Sequence, residues 1–277
     1  MSILTFGGRP LDCTSFVHEK AFLPKEWNGL TSFSGEYIWT DGTDMYYSIS
    51  SNQYVLNKST STWSSKTWNG LSSFSAEYIW TDGTNVYYSI GSDQYVLNKS
   101  TSTWSSKTWS GYRPTWGNEI WTDGTNYYYS YNSDQYVLNK STSTWSAKTW
   151  NGLTSFRGDL IWTDGTDMYY SNGSAQYVLN KSTSTWSAKT WSGLTSFYGN
   201  RIWSAVGNIY HSNGSSQYVL DKATSTWLVK TWSGMRPSDG RGVWTDGTNV
   251  YYSIGTSQGI FTDVPPTSEY NFISYQN

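Results

Sequence analysis

The chain has 277 residues and a net charge of −2, with only 14% charged residues, whereas Trp, Tyr and Phe make up 18% of it. This balance excludes the basic surface expected of a protein that binds nucleic acid or an anionic membrane. The single cysteine, Cys13, excludes an internal disulfide framework and a multi-cysteine metal site. We find neither a secretory signal nor an apolar run long enough for a membrane span. We therefore expect no membrane insertion, and either a cytoplasmic location or delivery by a route that needs no signal.

Tryptophans recur at a fixed step of 41 residues along almost the whole chain. Equal steps without an insertion indicate a repeat architecture in which each unit packs against its neighbours. We therefore predict a single domain over residues 1–277. The three series are Trp27, Trp68, Trp109, Trp150, Trp191 and Trp232; Trp39, Trp80, Trp121, Trp162, Trp203 and Trp244; and Trp63, Trp104, Trp145, Trp186 and Trp227.

The sequence of each unit predicts four short antiparallel strands, which we label a to d in chain order. Residues 77–91 are expected to form strands a and b, joined by a two-residue type I′ turn at Asp82 and Gly83, where both residues would need positive φ. Residues 94–98 follow as strand c and residues 104–109 as strand d. Four such strands in about 40 residues are typical of a propeller blade, so we predict an all-β β-propeller.

The number of blades follows from counting strands in chain order. Residues 1–27 supply strands b, c and d, five complete units follow, and the residues after 232 supply strands a, b and c. The tail segment 269–272 repeats the pattern of residues 77–80 and is expected to return as strand a of the first blade. We therefore predict seven blades, the last of them three-stranded, closed by pairing of the N- and C-terminal segments. A six-bladed ring with part of the N-terminus outside it is the alternative.

The unit resembles the kelch repeat at residues 86–91 (Val-Tyr-Tyr-Ser-Ile-Gly), at residues 95–98 (Tyr-Val-Leu-Asn) and at Trp104. These residues correspond to the strand-b glycine, the strand-c aromatic residue and the strand-d tryptophan of kelch units. Residues 4–8 (Leu-Thr-Phe-Gly-Gly) resemble it further, because kelch units typically end strand b in two glycines. The internal units keep one glycine or none, so the resemblance is to the architecture. Some kelch-like propellers are copper oxidases with a cysteine-linked tyrosine, but Cys13 is predicted on an outer strand without a histidine pair.

The sequence shows no constellation of catalytic or metal-ligating residues. His18 and His211 occupy unrelated positions in their units, so we interpret them as local substitutions. We therefore predict no enzymatic activity, no cofactor and no metal. An aspartate recurs in the Asp-Gly turns, where we attribute it to turn chemistry and not to calcium, because one carboxylate is too few for that ion. A lysine recurs before the strand-d tryptophan, where we expect it to protect an exposed edge strand. The series are Asp41, Asp82, Asp123, Asp164 and Asp246, and Lys66, Lys107, Lys148, Lys189 and Lys230.

The units differ from one another mainly between strand d of one unit and strand a of the next. These crossovers should border the central channel of a propeller, so we predict that the differing residues surround one mouth of the channel and bind a ligand there. Neutral drift is the alternative. We favour binding because the c-to-d turn is equally exposed and almost unchanged. The candidate ligand-binding residues are Glu36, Tyr37, Glu77, Tyr78, Trp116, Asn118, Glu119, Arg157, Asp159, Tyr198, Asn200, Arg201, Asp239 and Arg241.

Together these features favour a non-enzymatic binding or structural module with a protein partner in a larger assembly. The near-identical repeats, rich in Ser, Thr, Trp and Tyr, resemble components of phage tails or other virions, which implies a virion-associated location. The alternative is a carbohydrate-binding propeller lectin or adhesin, in which aromatic faces would stack on sugars. A lectin with equal sites would keep its site residues the same in every blade, so the diversified mouth favours one asymmetric site.

Overall fold

The alternation of aromatic and polar residues in each unit produces four short antiparallel strands, as the pattern predicts. The computed structural model describes residues 20–232 and 234–263, together with the backbone of residues 5–6 and 9–10. Within this part of the chain the strands form six four-stranded blades in the order a-b-c-d. The predicted all-β propeller is therefore confirmed.

The strand bounds repeat closely from blade 1 to blade 6. Strand a comprises Ile38–Thr40, Ile79–Thr81, Ile120–Thr122, Ile161–Thr163, Ile202–Ala205 and Val243–Thr245. Strand b comprises Met45–Ile49, Val86–Ile90, Tyr127–Asn132, Met168–Gly173, Asn208–Asn213 and Val250–Ile254. Strand c comprises Asn52–Asn57, Asp93–Asn98, Asp134–Asn139, Ala175–Asn180, Ser216–Asp221 and Ser257–Asp263. Strand d comprises Thr62–Ser65, Thr103–Ser106, Thr144–Ala147, Thr185–Ala188, Thr226–Val229 and, for blade 6, Lys20–Pro24.

Short elements join the blades. A 3₁₀ turn precedes each strand a, at Gly35–Tyr37, Ala76–Tyr78, Gly117–Glu119, Gly158–Leu160, Gly199–Arg201 and Gly240–Gly242. Two-residue strands occur in three crossovers, at Ser110–Gly111, Phe156–Arg157 and Phe197–Tyr198. Near the N-terminus, Thr5–Phe6 pairs with Arg9–Pro10.

The ring has six blades, so the prediction of seven is wrong and its six-bladed alternative is confirmed. Strand Lys20–Pro24, which we assigned to a separate first blade, pairs instead with Ser257–Asp263, with Phe22 opposite Phe261. The last unit supplies strands a, b and c, and the N-terminal strand supplies the missing strand d. The N-terminal strand and the last unit therefore form one complete four-stranded blade, and they do not belong to two separate blades. The predicted strand at 269–272 and the predicted strand c that contains His18 lie outside the described residues.

The Asp-Gly turns differ from the predicted two-residue type I′ turn. Thr81 pairs with Val86, which leaves a four-residue connection, and of its Asp-Gly pair only Gly83 has positive φ, at 86°. The carboxylate of Asp82 accepts hydrogen bonds from the backbone amides of Thr84 and Asn85, at 2.9 and 2.8 Å, and from the hydroxyl of Tyr87 at 3.0 Å. Asp82 therefore organises the turn through its side chain, as the turn-chemistry interpretation proposed.

Aromatic side chains form the core at each contact between blades. Trp104, on strand d of blade 2, is 2% exposed and lies 6.0 Å from Trp39 of blade 1, measured between ring centroids. Trp39 stacks on Tyr46 at 4.5 Å, and its Nε1 donates to the hydroxyl of Ser48 at 2.9 Å. Trp68 packs against both Trp39 and Trp104. Because this cluster recurs at each seam, with Phe22 in place of the strand-d tryptophan between blades 5 and 6, these aromatic residues join the blades into one ring.

The recurring lysines contact the neighbouring blade, which their predicted role at an edge strand did not include. Lys66 Nζ donates to the hydroxyl of Ser102 in the next blade at 2.8 Å and lies 4.7 Å from the ring centroid of Trp68. The incoming crossover pairs only with the start of strand d, where Asn69 lies parallel to Thr103.

Candidate functional site

The six 3₁₀ turns form a closed circle in which each turn contacts the next and the sixth contacts the first. Each turn begins with a small residue that packs against the backbone of the preceding turn. An added Cβ on Gly117 would lie 2.1 Å from the carbonyl oxygen of Tyr78, and one on Gly199 would lie 1.9 Å from that of Leu160. Packing therefore restricts this position to Gly or, in the second turn, Ala76, while the flanking side chains are free to differ.

The circle lies on the same face as the b-to-c turns. The residue before each of the third, fourth and fifth turns pairs with the end of strand b in the preceding blade: Trp116 with Ile90, Arg157 with Tyr131, and Tyr198 with Asn172. All the residues predicted to bind a ligand lie in these turns or directly before them. The structure thus brings the whole predicted set to one mouth of the propeller.

Two of the turns share a charged cluster around Glu119, whose side chain is only 1% exposed. Arg157 donates to the Glu119 carboxylate at 2.9 Å through Nε and to Asp159 at 3.0 Å through Nη2. The backbone amide of Asp159 also faces Glu119, at 3.4 Å. Burial, followed by the charge of Asp159, raises the pKa of Glu119 to about 7, and burial raises that of Asp159. One guanidinium group thus serves the buried carboxyl group of Glu119 and the half-buried one of Asp159.

A second charged cluster lies on the opposite part of the circle. Arg201 and Arg241 both form ion pairs with Asp239, the latter at 3.0 Å, and Arg241 also reaches Glu36 at 3.7 Å. The hydrogen bond from Arg241 and the ion pair with Arg201 outweigh burial and hold the pKa of Asp239 below its ordinary value. The arginines of the mouth are therefore already paired within the protein.

Aromatic side chains occupy the rest of the mouth. The ring centroids of Tyr78 and Trp116 lie 5.8 Å apart at an interplanar angle of 42°. Tyr37 lies in the first turn, which precedes the turn that contains Tyr78. Tyr198 is 47% exposed on the far side, next to the half-buried Asn200. The Oδ1 atom of Asn118 is buried without a hydrogen-bond partner.

His211, which the sequence indicates as a local substitution, lies near the mouth and is buried without a hydrogen-bond partner, which the sequence did not predict. His211, 3% exposed, takes the place of a strand-b tyrosine and lies 5.8 Å from Phe197, ring to ring. Neither ring nitrogen has a hydrogen-bond partner. Burial and then the charge of Arg201 lower its pKa to about 4. Its departure from the repeat was the available signal.

The described part of the chain contains no group of three His, Cys, Asp or Glu side chains placed to hold a metal ion. No helix within it is long and apolar enough to cross a membrane. The chemistry that the mouth does offer is recognition by aromatic faces, carboxylates and paired guanidinium groups.

No protein-family model matches the chain, and no curated protein sequence is significantly similar to it. Two solved structures from B. thetaiotaomicron share its fold. The extracellular domain attributed to a hybrid two-component system has a TM-score of 0.50 and 14% identity, and the match covers 83% of this chain and 33% of that one. The extracellular domain attributed to a one-component system has a TM-score of 0.51 and 11% identity, with 88% and 38% covered.

The likeness is one of fold. At these identities it extends to the propeller architecture alone, and the chain spans little more than a third of the length of these neighbours. The kelch and virion resemblances stay predictions.

Proposed function

We propose that the chain is a non-enzymatic recognition module that binds its ligand with the circle of six 3₁₀ turns at one mouth of the propeller. One observation carries this proposal. Most of the residues that distinguish otherwise near-identical blades are gathered on a single surface, held by backbone packing that recurs from turn to turn. A rigid scaffold that presents diversified side chains is the usual construction of a binding surface.

The pairing of charges between neighbouring turns argues against neutral drift. Glu119 in the third turn is matched by Arg157 beside the fourth, and Arg201 in the fifth by Asp239 beside the sixth. Independent substitutions on permissive loops would not place opposite charges in contact at successive positions. The mouth is thus an ordered surface whose residues depend on one another.

We infer that the partner is a protein within a larger assembly. Aromatic and arginine side chains are enriched in the central contacts of protein interfaces, and the mouth combines both types. Among possible settings, the Ser- and Thr-rich repeats favour a virion or phage tail.

The experiment that tests the proposal changes the mouth without disturbing its buried charges. Trp116 and Tyr198 are both replaced by Ser, the residue that stands at this position in blades 1 and 2 as Ser34 and Ser75. We expect the double variant to lose binding to a partner captured by the parent chain in a protein and glycan array, with the melting temperature unchanged.

A matched control carries Val229→Ser on the outer strand of blade 5. This residue is 77% exposed, and blade 1 has Ser65 there. The control should bind as the parent does. Equal binding by the parent and the mouth variant would show that the mouth is not the recognition surface.

A lectin is the second candidate, favoured by a groove that recurs with the same residues. In blade 1 it has a volume of about 530 Å³ and in blade 4 about 510 Å³. The Oδ1 atom of Asn57 accepts hydrogen bonds from Ser59 and Thr60, which leaves its amide nitrogen as the donor for a ligand. Thr, Asn, Lys and Ser around a valine could hold the hydroxyls of a sugar. The groove of blade 1 is lined by Thr43, Asp44, Val55, Leu56, Asn57, Lys58 and Ser64.

Blade 5 suggests the variant that separates the two functions, because Leu228 stands there in place of the groove serine. We would change Ser64, Ser105, Ser146 and Ser187 together to Leu. Glycan binding that this variant loses and the mouth variant keeps would support the lectin. Glycan binding with the opposite pattern would place the sugar at the mouth.

A further inference from the structure

The mouth carries more negative than positive charge. Its turns and the residues directly before them contain the carboxylates of Glu36, Glu77, Glu119, Asp159 and Asp239 and the guanidinium groups of Arg157, Arg201 and Arg241. Each arginine contacts at least one carboxylate, and two of the three contact two. Among the described residues Glu77 contacts no arginine or lysine, and it is exposed. The surplus charge therefore lies on the side of blades 2 to 4.

Aromatic residues lie next to Glu77 in its own turn and in the turns on either side of it. A hydrogen bond with Glu77, followed by burial, raises the pKa of Tyr78 to about 12, and Trp116 lies 5.8 Å away from the Tyr78 ring. Burial and then the charges of Glu36 and Glu77 raise the pKa of Tyr37. Both tyrosines are therefore neutral phenols, and each is half-buried in a turn that contacts the other. Arg113 and Arg236, which are exposed, stand earlier in their crossovers, three residues before Trp116 and Asp239.

We propose that an alkylammonium group binds beside Glu77, against the rings of Tyr37, Tyr78 and Trp116. This inference rests on the proposed function of the mouth and names the chemistry of its ligand. A neutral aromatic face attracts a cation through its quadrupole, and a nearby carboxylate adds a direct charge interaction. An anionic ligand would meet Glu77 and would find every arginine of the mouth already paired. Two sources share this chemistry: a free quaternary ammonium compound and the lysine side chain of a partner protein.

Titration calorimetry with three probes tests the inference. Choline and the amidated peptide Gly-Lys-Gly carry the cation, whereas 3,3-dimethylbutan-1-ol has the shape of choline without its charge. We expect at least one cation to bind and the neutral alcohol to bind about tenfold more weakly or not at all. Tighter binding of the peptide would identify lysine as the source, and tighter binding of choline a free compound. Equal binding of choline and its neutral analogue would overturn the inference.

Two variants locate the site. Glu77→Gln removes the unpaired charge and should weaken cation binding about tenfold, and Trp116→Ser should weaken it several-fold, by about 1 kcal/mol of cation–π attraction. The control is Asp221→Asn, which removes a carboxylate at the end of strand c in blade 5, away from Glu77, and introduces the residue found at this position in blades 1 to 4. It should leave the affinity unchanged. An unchanged affinity in Glu77→Gln would contradict the assignment.

The outcome also separates this inference from the function on which it rests. If neither cation binds while the Trp116 and Tyr198 double variant still loses an array partner, the mouth is a recognition surface for another class of ligand and only the present inference fails. If neither cation binds and the double variant behaves as the parent, both proposals fail.

Discussion

At the scale of single residues, His211 shows how one substitution in a repeat changes the response to pH. Five other blades have a tyrosine at this position of strand b, as Tyr47, Tyr88, Tyr129, Tyr170 and Tyr252. His211 is buried without a partner for either nitrogen, so its charged form is disfavoured in the folded state. The folded pKa of about 4 lies below the ordinary value of 6.5. Stability is therefore lost as the pH falls below 6.5, because the unfolded chain then binds the proton first.

We predict that His211→Tyr removes this acid sensitivity. From pH 7 to pH 5 the parent should lose about 2 kcal/mol of unfolding free energy through His211, and the variant should not. Denaturant titrations of both chains at the two pH values measure the difference. An equal loss in both chains would show that His211 does not titrate differently on folding.

Glu119 changes the pH dependence of stability in the opposite direction to His211. Its folded pKa of about 7 lies above the ordinary value of 4.5, so the folded state holds a proton that the unfolded state has released. The contribution of Glu119 to stability therefore falls as the pH rises from 4.5 to 7.

We predict that Glu119→Gln flattens the decrease in unfolding free energy over this interval by about 2 kcal/mol. Glu77→Gln, which changes an exposed carboxylate in the second turn, is the control and should leave the slope as in the parent. Because His211 acts over part of the same range, the slopes are compared between variants and not read from one curve. A slope in Glu119→Gln equal to that of the control would refute the prediction.

At the scale of elements, the crossover glycines show where backbone geometry limits the sequence. Gly152 has φ of 83°, and an added Cβ would lie 2.0 Å from the carbonyl oxygen of Trp186 in the next blade. Gly165, in an Asp-Gly turn, has φ of 94° and open space around it. The first glycine is therefore required by conformation and by packing between blades, and the second by conformation alone.

We predict a larger cost for Gly152→Ala than for Gly165→Ala. The left-handed backbone should cost each variant about 1 kcal/mol, and the contact with a neighbouring backbone should add about 1–3 kcal/mol to the first. Thermal unfolding of both variants measures the difference between their losses of stability. Because both lose the same conformational contribution, this difference is the cost of the contact with the neighbouring backbone. Equal destabilisation would mean that the crossover moves aside without strain.

The elements also show which parts of the prediction succeeded. Strand positions in the repeat were predictable because aromatic residues, turn residues and spacing all agree in every unit. The type of the a-to-b turn was not, because the carboxylate of Asp82 bonds to amides two and three residues ahead and stabilises a longer turn that the Asp-Gly pair alone does not reveal. The position of the variable residues at one mouth was predicted, whereas their charge pairs were not.

At the scale of the whole molecule, the ring depends on the strand that joins its two ends. Phe22 is fully buried and contacts the rings of Trp203, Tyr252 and Phe261, which belong to blades 5 and 6. Leu23, on the same strand, is only partly buried. The closing strand is therefore held by the large, deeply packed side chain of Phe22 as well as by its backbone pairing.

We predict that Phe22→Ala lowers the unfolding free energy by about 3–5 kcal/mol, and Leu23→Ala by clearly less. Chemical denaturation monitored by near-ultraviolet circular dichroism measures both, because the aromatic seams dominate that signal. A loss in Leu23→Ala as large as in Phe22→Ala would show that the strand is not anchored through Phe22.

The sequence by itself determined the fold class, the period, the strands of each blade and the face on which the blades differ. All of these follow from local patterns repeated every 41 residues, so each unit supports the reading of the next. Only the tertiary structure decided the number of blades, the role of the lysines and the pairing of charges at the mouth. These depend on contacts between residues far apart in the chain, such as Phe22 with Phe261 or Glu119 with Arg157, which no local pattern encodes.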